Sequence, residues 1–394
     1  MIFQPPSVHV AIACGGTGGH LFPGVAVGNE LVRLGHEVTL LVSPKDVDQH
    51  AVRCLTDLKI ETLPAVGLQE GRRLAFLRGF WQSRQAARRL FDRHRPRAVL
   101  GMGGFTSAPP ILAGRRVGAA TFVHESNVIP GRANRWIAHV VDQCFVGFPE
   151  TAARLWNPRV SHTGTPVRDS FQPMDAAAAR ISLGLDPRRP VLLIMGGSQG
   201  ATGLNELFLK ALPQIVSAVQ DLQFIHLTGT LGLETARKSH ALAGVRSVVV
   251  PFLTEMELAL CAATLAVSRA GASSLAELAA LHVPAILIPY PAATDRHQHF
   301  NAAAVARNGA AEVLDQGQTS AGQFTHAVLR ILTNPVRRDV MARAMASQFE
   351  PRAAGSIARE LLSLTMLISV QNKSEDYPAV SFTEPEQRKT VEIL

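Results

Sequence analysis

The feature that most constrains this fold is a glycine-rich turn that follows an apolar strand at two places in the chain. The run Val8–Ala13 leads into Gly15–His20 (GGTGGH), and the run Val191–Met195 leads into Gly196–Gly200 (GGSQG). A helical pattern begins soon after each turn. A strand, a tight turn and a helix are the first parts of a βαβ unit, so the sequence predicts an α/β protein with two parallel sheets.

Strand and helix patterns alternate in each half of the chain. The first half adds apolar strands at His36–Val42, Ala98–Gly101, Ala120–His124 and Gln143–Val146, and the second half adds Gln223–His226, Ser247–Val250, Leu265–Val267 and Ala285–Pro289. We predict an N-terminal Rossmann-like domain over residues 1–168, a linker over 169–188 and a C-terminal Rossmann-like domain over 189–345, with a cleft between the two sheets. A helix over 346–370 is expected to pack back towards the N-terminal domain, followed by a flexible tail over 371–394.

Composition narrows the class of partner. A chain of 394 residues with a formal net charge of +8 is long enough for two domains and favours a polyanionic partner. Only 2 Tyr and 3 Trp are present, which disfavours nucleic acid because stacking platforms are scarce. Neither a signal-peptide pattern nor an apolar run of about 18 residues occurs, so we expect a protein that stays inside the cell and can touch a membrane surface. Four cysteines lie far apart, which fits a reducing cytosol without zinc sites or disulfides: Cys14, Cys54, Cys144 and Cys261.

The glycine turns predict phosphate binding. Such a turn exposes backbone N–H groups at the positive end of a helix dipole, and these bind phosphate without lysine or metal. Two turns at one cleft predict a substrate with a diphosphate, although tight packing of a helix on a strand also favours glycine here. Neither turn fits the GxGxxG pattern with a downstream acid, which disfavours a dehydrogenase. Asp46-Val47-Asp48 resembles a DxD metal site, but no third acid lies nearby, and we assign no metal.

Three polar segments follow predicted strands and are therefore expected at the cleft. His124-Glu125 is suited to acid–base work, Glu277 can accept hydrogen bonds from ribose hydroxyls, and Asp295–Asn301 can bind sugar hydroxyls. Each has a simpler interpretation as well. These are a structural histidine, a solvated helix carboxylate and a helix cap at Asp295.

The stretch over residues 71–97 has a different character, with nine arginines against one acid. Apolar side chains surrounded by arginines favour contact with an anionic bilayer, although an amphipathic core helix with a solvated arginine face is the alternative. The residues predicted to touch the membrane are Leu74, Phe76, Leu77, Phe80, Trp81, Arg72, Arg73 and Arg78.

Seven motifs occur in order along both halves: Gly15–His20, Gly103–Ser107, His124–Asn127, Gly164–Arg168, Gly196–Ala201, Ala270–Glu277 and Asp295–Asn301. Over about residues 8–365 the chain resembles the MurG family of peptidoglycan N-acetylglucosaminyltransferases. The resemblance implies a GT-B fold and transfer of N-acetylglucosamine, with inversion and without a metal cofactor. The donor would be UDP-N-acetylglucosamine, and the acceptor the 4-hydroxyl of undecaprenyl-diphospho-N-acetylmuramoyl-pentapeptide. Such an enzyme would serve cell-wall synthesis, cell shape and cell division as a peripheral protein on the cytoplasmic face of the inner membrane, beside other cell-wall synthesis proteins.

The resemblance also implies site residues. Within the donor site, Glu277 would contact the ribose, Gln298 the sugar hydroxyls and Leu253 the uracil through its backbone. Departures from the family pattern at Ser126 and His297 bear on fine specificity more than on the reaction. The full set implied for UDP-N-acetylglucosamine is Thr17, Gly18, Gly19, Asn127, Arg168, Ser198, Leu253, Ala272, Ser273, Ser274, Glu277 and Gln298.

An inverting transfer needs a base for the acceptor hydroxyl. His20 is the first candidate, and Glu125, with His124, is the rival because a carboxylate is already ionised at pH 7. Two other functions stay open at this point. A UDP-N-acetylglucosamine 2-epimerase shares the two-domain plan but has no need of the arginine-rich apolar stretch. A catalytically silent membrane scaffold has no need of His20, Glu277 or Gln298.

Overall fold

The computed structural model of the chain describes residues 7–16, 18–45, 58–64, 73–197 and 200–375, with the side chains of residue 73 and residues 370–375 left aside. The predicted α/β architecture with two parallel sheets is confirmed. Within the described ranges, no helix is both long and apolar enough to cross a bilayer. Several sequence predictions fall outside these ranges, namely those on Thr17, Asp46-Val47-Asp48, Arg72 and Ser198.

The N-terminal domain is built on a seven-stranded sheet with the order β3-β2-β1-β4-β5-β6-β7, and all its pairings are parallel. Its inner strands are covered on both faces, which explains why they are continuous apolar runs. The strands are β1 His9–Ala13, β2 Glu37–Val42, β3 Lys59–Thr62, β4 Ala98–Gly101, β5 Ala120–Glu125, β6 Gln143–Val146 and β7 Val160–His162.

Among the described residues, four helices of the N-terminal half cover this sheet, and the last helix of the chain joins them. Helix α1 (Gly18–Arg33) lies on one face, and α2 (Arg73–His94), α3 (Ala108–Arg116) and α4 (Arg132–Ile137) share the opposite face. Helices α1, α3 and α4 begin shortly after the carboxyl end of a strand, so their first turns lie at one edge of the sheet. That edge is where α/β proteins bind ligands.

The C-terminal domain has a six-stranded parallel sheet with the order β10-β9-β8-β11-β12-β13. Its strands are β8 Val191–Met195, β9 Gln223–Leu227, β10 Ser247–Val250, β11 Leu265–Ser268, β12 Ala285–Leu287 and β13 Ala311–Val313. Its helices are α5 Ala176–Ser182, α6 Thr202–Ala218, α7 Leu233–Leu242, α8 Met256–Ala262, α9 Ala272–Ala280, α10 His297–Arg307, α11 Ala321–Leu332 and α12 Pro335–Ala346. Phe171 and Ala179, inside the segment expected to be a linker, are buried in this domain's core because α5 packs there.

The last helix, α13 (Ala353–Glu375), returns to the N-terminal domain and packs beside α1 on the first sheet. Its buried side chains include Ile357 and Leu361, both 0% exposed. The chain therefore passes between the domains twice, once after β7 and once before α13. The two passages touch: Gly164 has φ +77°, and a Cβ on it would lie 2.5 Å from Cβ of Glu350, so a side chain is excluded there.

Candidate active site

The first glycine turn brings His20 to the cleft. His20 is the third residue of α1, and its half-buried ring lies over Gly103 and Gly104, which follow β4. A Cβ on Gly103 would lie 3.0 Å from Cε1 of His20, and one on Gly104 would lie 3.1 Å from its Cδ2. Both glycines have positive φ. This glycine pair allows the ring to lie directly against the backbone and to line the cavity between the domains.

Glu125 ends β5 and is held by four hydrogen bonds. Its Oε1 accepts from the backbone N–H and the side-chain amide of Asn127, at 2.9 and 3.0 Å. Its Oε2 accepts from the backbone N–H of Gly131 at 2.9 Å and from Nδ2 of Asn134 at 2.8 Å. The residue is 3% exposed. A carboxylate has about four acceptor sites, so this one is fully engaged in ordering the loop after β5.

His124 lies on the other side of the same strand and does not reach the cleft. It is 0% exposed. Its Nε2–H donates to the carbonyl of Gly164 at 3.0 Å, which leaves Nδ1 to accept from the hydroxyl of Ser126 at 3.3 Å. Burial lowers the pKa of His124 to about 4, so the ring is neutral at pH 7. Successive side chains of a strand point to opposite faces, so Glu125 faces the cleft and His124 does not. These contacts favour a structural role for His124, and its acid–base role stays a prediction.

The helix α9 of the C-terminal domain begins opposite α1. The Ser273 hydroxyl donates to the carbonyl of Gly19 at 3.0 Å, so the first turns of the two helices meet across the cleft. Ala272 is buried at the start of α9, and Ser274 follows half-buried in the same turn. Gly18, the buried first residue of α1, precedes Gly19.

Arg168 and Glu277 lie near each other beside this meeting point. The Arg168 guanidinium carbon is 4.4 Å from the ring centroid of Phe22 and 4.9 Å from that of Phe171, so the cation lies between two aromatic faces. Its Nε is buried without a hydrogen-bond partner among the described residues. Burial raises the pKa of Glu277 to about 7, with Glu257 adding to the shift and Arg168 opposing it.

The remaining predicted donor residues surround the same end of the cleft. Leu253 follows the edge strand β10 and is partly buried against the domain core. Oε1 of Gln298 accepts from the backbone N–H of Tyr290 at 2.9 Å, which fixes this side chain in the first turn of α10. Asn127 accepts a hydrogen bond from Nδ2 of Asn301 at 3.0 Å. The sequence placed Asn301 only within the polar segment Asp295–Asn301 and did not single out Asn134, since an amide side chain carries no pattern of its own.

Asp295 is not a helix cap, contrary to the simpler interpretation. It has φ 50°, Arg296 after it has φ 53°, and α10 begins only at His297. Oδ2 of Asp295 accepts from Nη2 of Arg135 in α4 at 2.8 Å, and Nη2 of Arg132 lies 3.5 Å from Oδ1. The carboxylate therefore pairs with arginines of the other domain at the mouth of the cleft. It does not accept hydrogen bonds from the backbone N–H groups at the start of α10.

Residues of both domains line a cavity of about 330 Å³ between them. The predicted donor residues Arg168, Leu253, Glu277 and Gln298 are not part of its lining. That volume suits a small-molecule ligand. Among the described residues, no three His, Cys, Asp or Glu side chains converge in a way that would hold a metal ion. Its lining includes Gly19, His20, Glu125, Asn127, Gly271 and Ser273.

The predicted membrane residues lie on α2, and the described ones separate into two groups. Leu74 is 84% exposed, and Leu77 and Trp81 are each 60% exposed. Arg78 is exposed with them, whereas Phe76 and Phe80 are half-buried and contact each other at a centroid distance of 6.3 Å. Arg73 begins the helix. The exposed leucines and tryptophan thus form an apolar outer face on the side of α2 away from the core.

Comparison with known proteins decides the family. The glycosyltransferase family 28 N-terminal domain matches residues 10–146, and the family 28 C-terminal domain matches residues 191–357. A relative from Anaeromyxobacter sp. (strain Fw109-5) is named UDP-N-acetylglucosamine--N-acetylmuramyl-(pentapeptide) pyrophosphoryl-undecaprenol N-acetylglucosamine transferase. It is 34% identical over 356 residues, which are 89% of this chain and 92% of the relative. The chain belongs to the MurG family.

Solved structures agree with this assignment. MurG from Acinetobacter baumannii is similar with a TM-score of 0.70 and 26% identity, over 91% of this chain and 100% of that one. The predicted GT-B fold and glycosyltransferase class are therefore confirmed. A protein described as a UDP-N-acetylglucosamine 2-epimerase from Listeria monocytogenes has a TM-score of 0.65 at 14% identity, over 95% of this chain and 98% of that one, and shares the fold alone.

Proposed function

We propose that the protein transfers N-acetylglucosamine from UDP-N-acetylglucosamine to the 4-hydroxyl of undecaprenyl-diphospho-N-acetylmuramoyl-pentapeptide, with inversion at the sugar. The observation that carries this proposal is the meeting of α1 and α9, one from each domain, at a 3.0 Å hydrogen bond between Ser273 and Gly19. Two helix N-termini thereby face one cavity. This arrangement supports the binding of a diphosphate between the domains.

The leaving UDP is stabilised in this mechanism by groups of the chain itself. Departure of UDP places negative charge on the diphosphate, and the start of α9 offers backbone N–H groups where that charge develops. Arg168 adds a full positive charge beside them, with its Nε buried and without a partner among the described residues. We infer that no metal ion is needed for this step.

His20 is the proposed base. It lines the cavity, and a neutral imidazole nitrogen can take the proton of the acceptor hydroxyl as the new glycosidic bond forms. Glu125 is the weaker candidate, because its two oxygens already accept four hydrogen bonds from Asn127, Gly131 and Asn134. We propose that Glu125 orders the loop that presents Asn127 to the donor sugar.

The donor nucleotide is proposed to lie along the C-terminal side of the cleft. Glu277 would accept hydrogen bonds from the ribose hydroxyls, and Gln298 would bind the hydroxyls of the sugar. Leu253 would contact the uracil through its backbone. The order of these residues supports this placement, because they follow β10, β11 and β12, and so run from one edge of the sheet across it.

We further propose that α2 holds the protein on the cytoplasmic face of the inner membrane, where the lipid acceptor is found. Leu74, Leu77 and Trp81 project outward among arginines, and each basic residue near an anionic surface contributes about 1 kcal/mol. Sedimentation with vesicles containing phosphatidylglycerol tests this. The triple variant Leu74→Ser/Leu77→Ser/Trp81→Ser should lose binding, while Leu242→Ser, an equally exposed leucine of the C-terminal domain, should keep it. Equal binding by both variants would refute the role of α2.

The transfer itself is tested with labelled UDP-N-acetylglucosamine and the muramyl-pentapeptide lipid, in the presence and absence of EDTA. The expected result is label in the lipid fraction at the same rate in both conditions. Release of a free epimer of the sugar would overturn the proposed reaction, and a rate abolished by EDTA and restored by a divalent cation would overturn its metal independence.

A further inference from the structure

One buried side chain outside the proposed reacting groups joins the two domains. Asn301, in α10 of the C-terminal domain, is 0% exposed. Its Oδ1 accepts from the backbone N–H of Val128 at 2.9 Å. Its Nδ2 donates to Oδ1 of Asn127 at 3.0 Å and to the carbonyl of Ala270 at 3.1 Å. A single amide thus binds two groups of the N-terminal domain and one of its own domain.

Each partner of this amide belongs to a loop of the site. Asn127 also donates to Oε1 of Glu125, so Asn301 is connected to the Glu125 loop through one side chain. Ala270 directly precedes Gly271, the N-cap residue of α9. The three hydrogen bonds therefore fix the loop after β5 and the start of α9 at one relative position.

We propose that Asn301 is a positioning residue that couples closure of the two domains to the assembly of the site. When the domains lie together, the amide satisfies Asn127, Val128 and Ala270 at once, without water. When they separate, Asn127 and Val128 lose this partner, and the orientation of the Asn127 side chain is no longer fixed. A buried polar group left without its partner is costly, so the correct geometry of Asn127 exists only in the closed arrangement.

The ion pairs between the domains are less suited to this task. Arg307 and Glu150 form an ion pair at 2.6 Å, and Arg135 and Asp295 form one at 2.8 Å, but the arginine of each pair is largely exposed. Exposed ion pairs are screened by salt and tolerate many geometries. The buried amide of Asn301 requires one geometry, and it lies next to the proposed reacting groups.

The test compares Asn301→Asp with Asn308→Asp. Aspartate keeps the shape of Asn301 but places an oxygen where Nδ2 faces two acceptors, Asn127 Oδ1 and the Ala270 carbonyl. Asn308 ends the same helix and donates to Gln348 within the C-terminal region, so its substitution is a matched control that leaves the domain contact intact. Asn301→Ala serves as a second variant that removes the bonds without adding charge.

Turnover, UDP affinity and small-angle X-ray scattering with saturating UDP-N-acetylglucosamine are measured for all three variants. Both Asn301 variants should lower kcat about 10- to 100-fold, change the Kd for UDP less than about threefold, and show a larger radius of gyration than the wild type. Asn308→Asp should match the wild type in all three measurements. The role in turnover rests on the proposed function, whereas the scattering does not. The wild type could lack transferase activity and still differ in scattering from the Asn301 variants. That result would refute the proposed reaction but support the coupling of the domains.

Two results would overturn the inference. The first is wild-type kcat and wild-type scattering in both Asn301 variants. The second is loss of UDP binding or of the folded state in both variants, which would make Asn301 a residue of the C-terminal fold alone.

Discussion

Two carboxylates stand on opposite sides of the proposed site, and their surroundings differ in kind. Glu125, in the N-terminal domain, accepts four hydrogen bonds from its own loop and from α4. Glu277, in the C-terminal domain, receives no hydrogen bond on its carboxylate from any described residue, and burial raises its pKa to about 7. One carboxylate is fully satisfied by the protein, and the other is left for a ligand to satisfy.

The difference indicates how the two halves of the site divide their work. The loop that carries Asn127 is held within the N-terminal domain by Glu125, and only the orientation of the Asn127 side chain depends in addition on Asn301 of the other domain. On the side proposed to bind the nucleotide, ionising the half-buried Glu277 carboxylate costs free energy, because no described residue donates to it. Hydroxyl donors of a ligand can lower this cost. Binding energy from the donor ribose would thus be used where the protein itself leaves an acceptor open.

The largest expected effect is a loss of kcat in His20→Ala, which distinguishes His20 as the base from Glu125 as a carboxylate that orders its loop. His20→Ala should lower kcat by about 100-fold or more, because it removes the proposed proton acceptor. The Kd for UDP should stay unchanged in equilibrium dialysis, since the proposed nucleotide site lies on the other domain. His326→Ala, on an exposed face of α11, is the control. A His20→Ala enzyme that keeps its turnover would return the role of base to Glu125.

A smaller effect on turnover, with a distinct loss of stability, is expected for Glu125→Gln. The new amide would turn N–H groups towards donors such as Gly131 and Asn134, leaving buried donors without acceptors. The free energy of unfolding in urea should fall by about 1–3 kcal/mol, and kcat by about tenfold. Unchanged stability would mean that the four hydrogen bonds do not order this loop.

The opposite change in stability, a gain above neutral pH, is expected for Glu277→Gln on the other side of the cleft. The folded-state pKa of Glu277, about 7, lies above its ordinary value, so its contribution to stability is full at acidic pH and is lost as pH rises through 7. Glu277→Gln should therefore unfold at a higher urea concentration than the wild type at pH 8, and at the same concentration near pH 4. Its Kd for UDP-N-acetylglucosamine should rise about tenfold. A Glu277→Gln variant that is less stable than the wild type at pH 8 would contradict the proposed contrast between Glu125 and Glu277.

Proton release provides a direct measure of the same contrast. At pH 6.5 the free Glu277 is largely protonated, and ribose hydroxyls bind the ionised form, so donor binding should release up to one proton. Calorimetry in two buffers with different heats of ionisation would detect it, and Glu277→Gln should abolish it. Release of the same size from the variant would assign the proton to another group.

The smallest effect, on KM for the donor, is expected for Arg135→Ala, which removes an ion pair between the domains at the surface. Arg135→Ala removes an exposed ion pair to Asp295, which is worth about 0–1 kcal/mol. KM for the donor should change less than about fivefold, and the change should vanish at high salt. A larger, salt-independent change would mean that this pair, and not the buried amide of Asn301, holds the domains together.

Much of the fold could be predicted from the sequence, and the exceptions share a cause. Inner strands such as β1 and β8 are buried on both faces and stand out as apolar runs. The strands β3 (Lys59–Thr62), β7 (Val160–His162) and β13 (Ala311–Val313) escaped prediction, because each lies at a sheet edge, is short and contains polar residues. Nothing in their local pattern distinguishes them from loops.

The site could be predicted only as a set of positions after strands. The glycine turns place His20 and Glu125 at one edge of a sheet, and that much follows from a βαβ pattern. The alternation of side chains along β5 could have removed His124 from the cleft. The partners of Glu125 and Asn127 could not be predicted, because Asn134 and Asn301 reach them only through folding, the latter from 174 residues away. Whether a carboxylate is satisfied depends on such distant contacts.

The contact between Gly164 and Glu350 has a mechanical consequence. Both connections between the domains run side by side at this point, so we expect rotation about it to strain the chain less than sliding or twisting, which would stretch both connections at once. In such a rotation displacement would grow with distance from the axis, so His124, which is hydrogen-bonded to Gly164, would shift less than the mouth of the cleft near Asp295. A large lipid-linked sugar would be admitted there, at the rim, without disturbing the pivot.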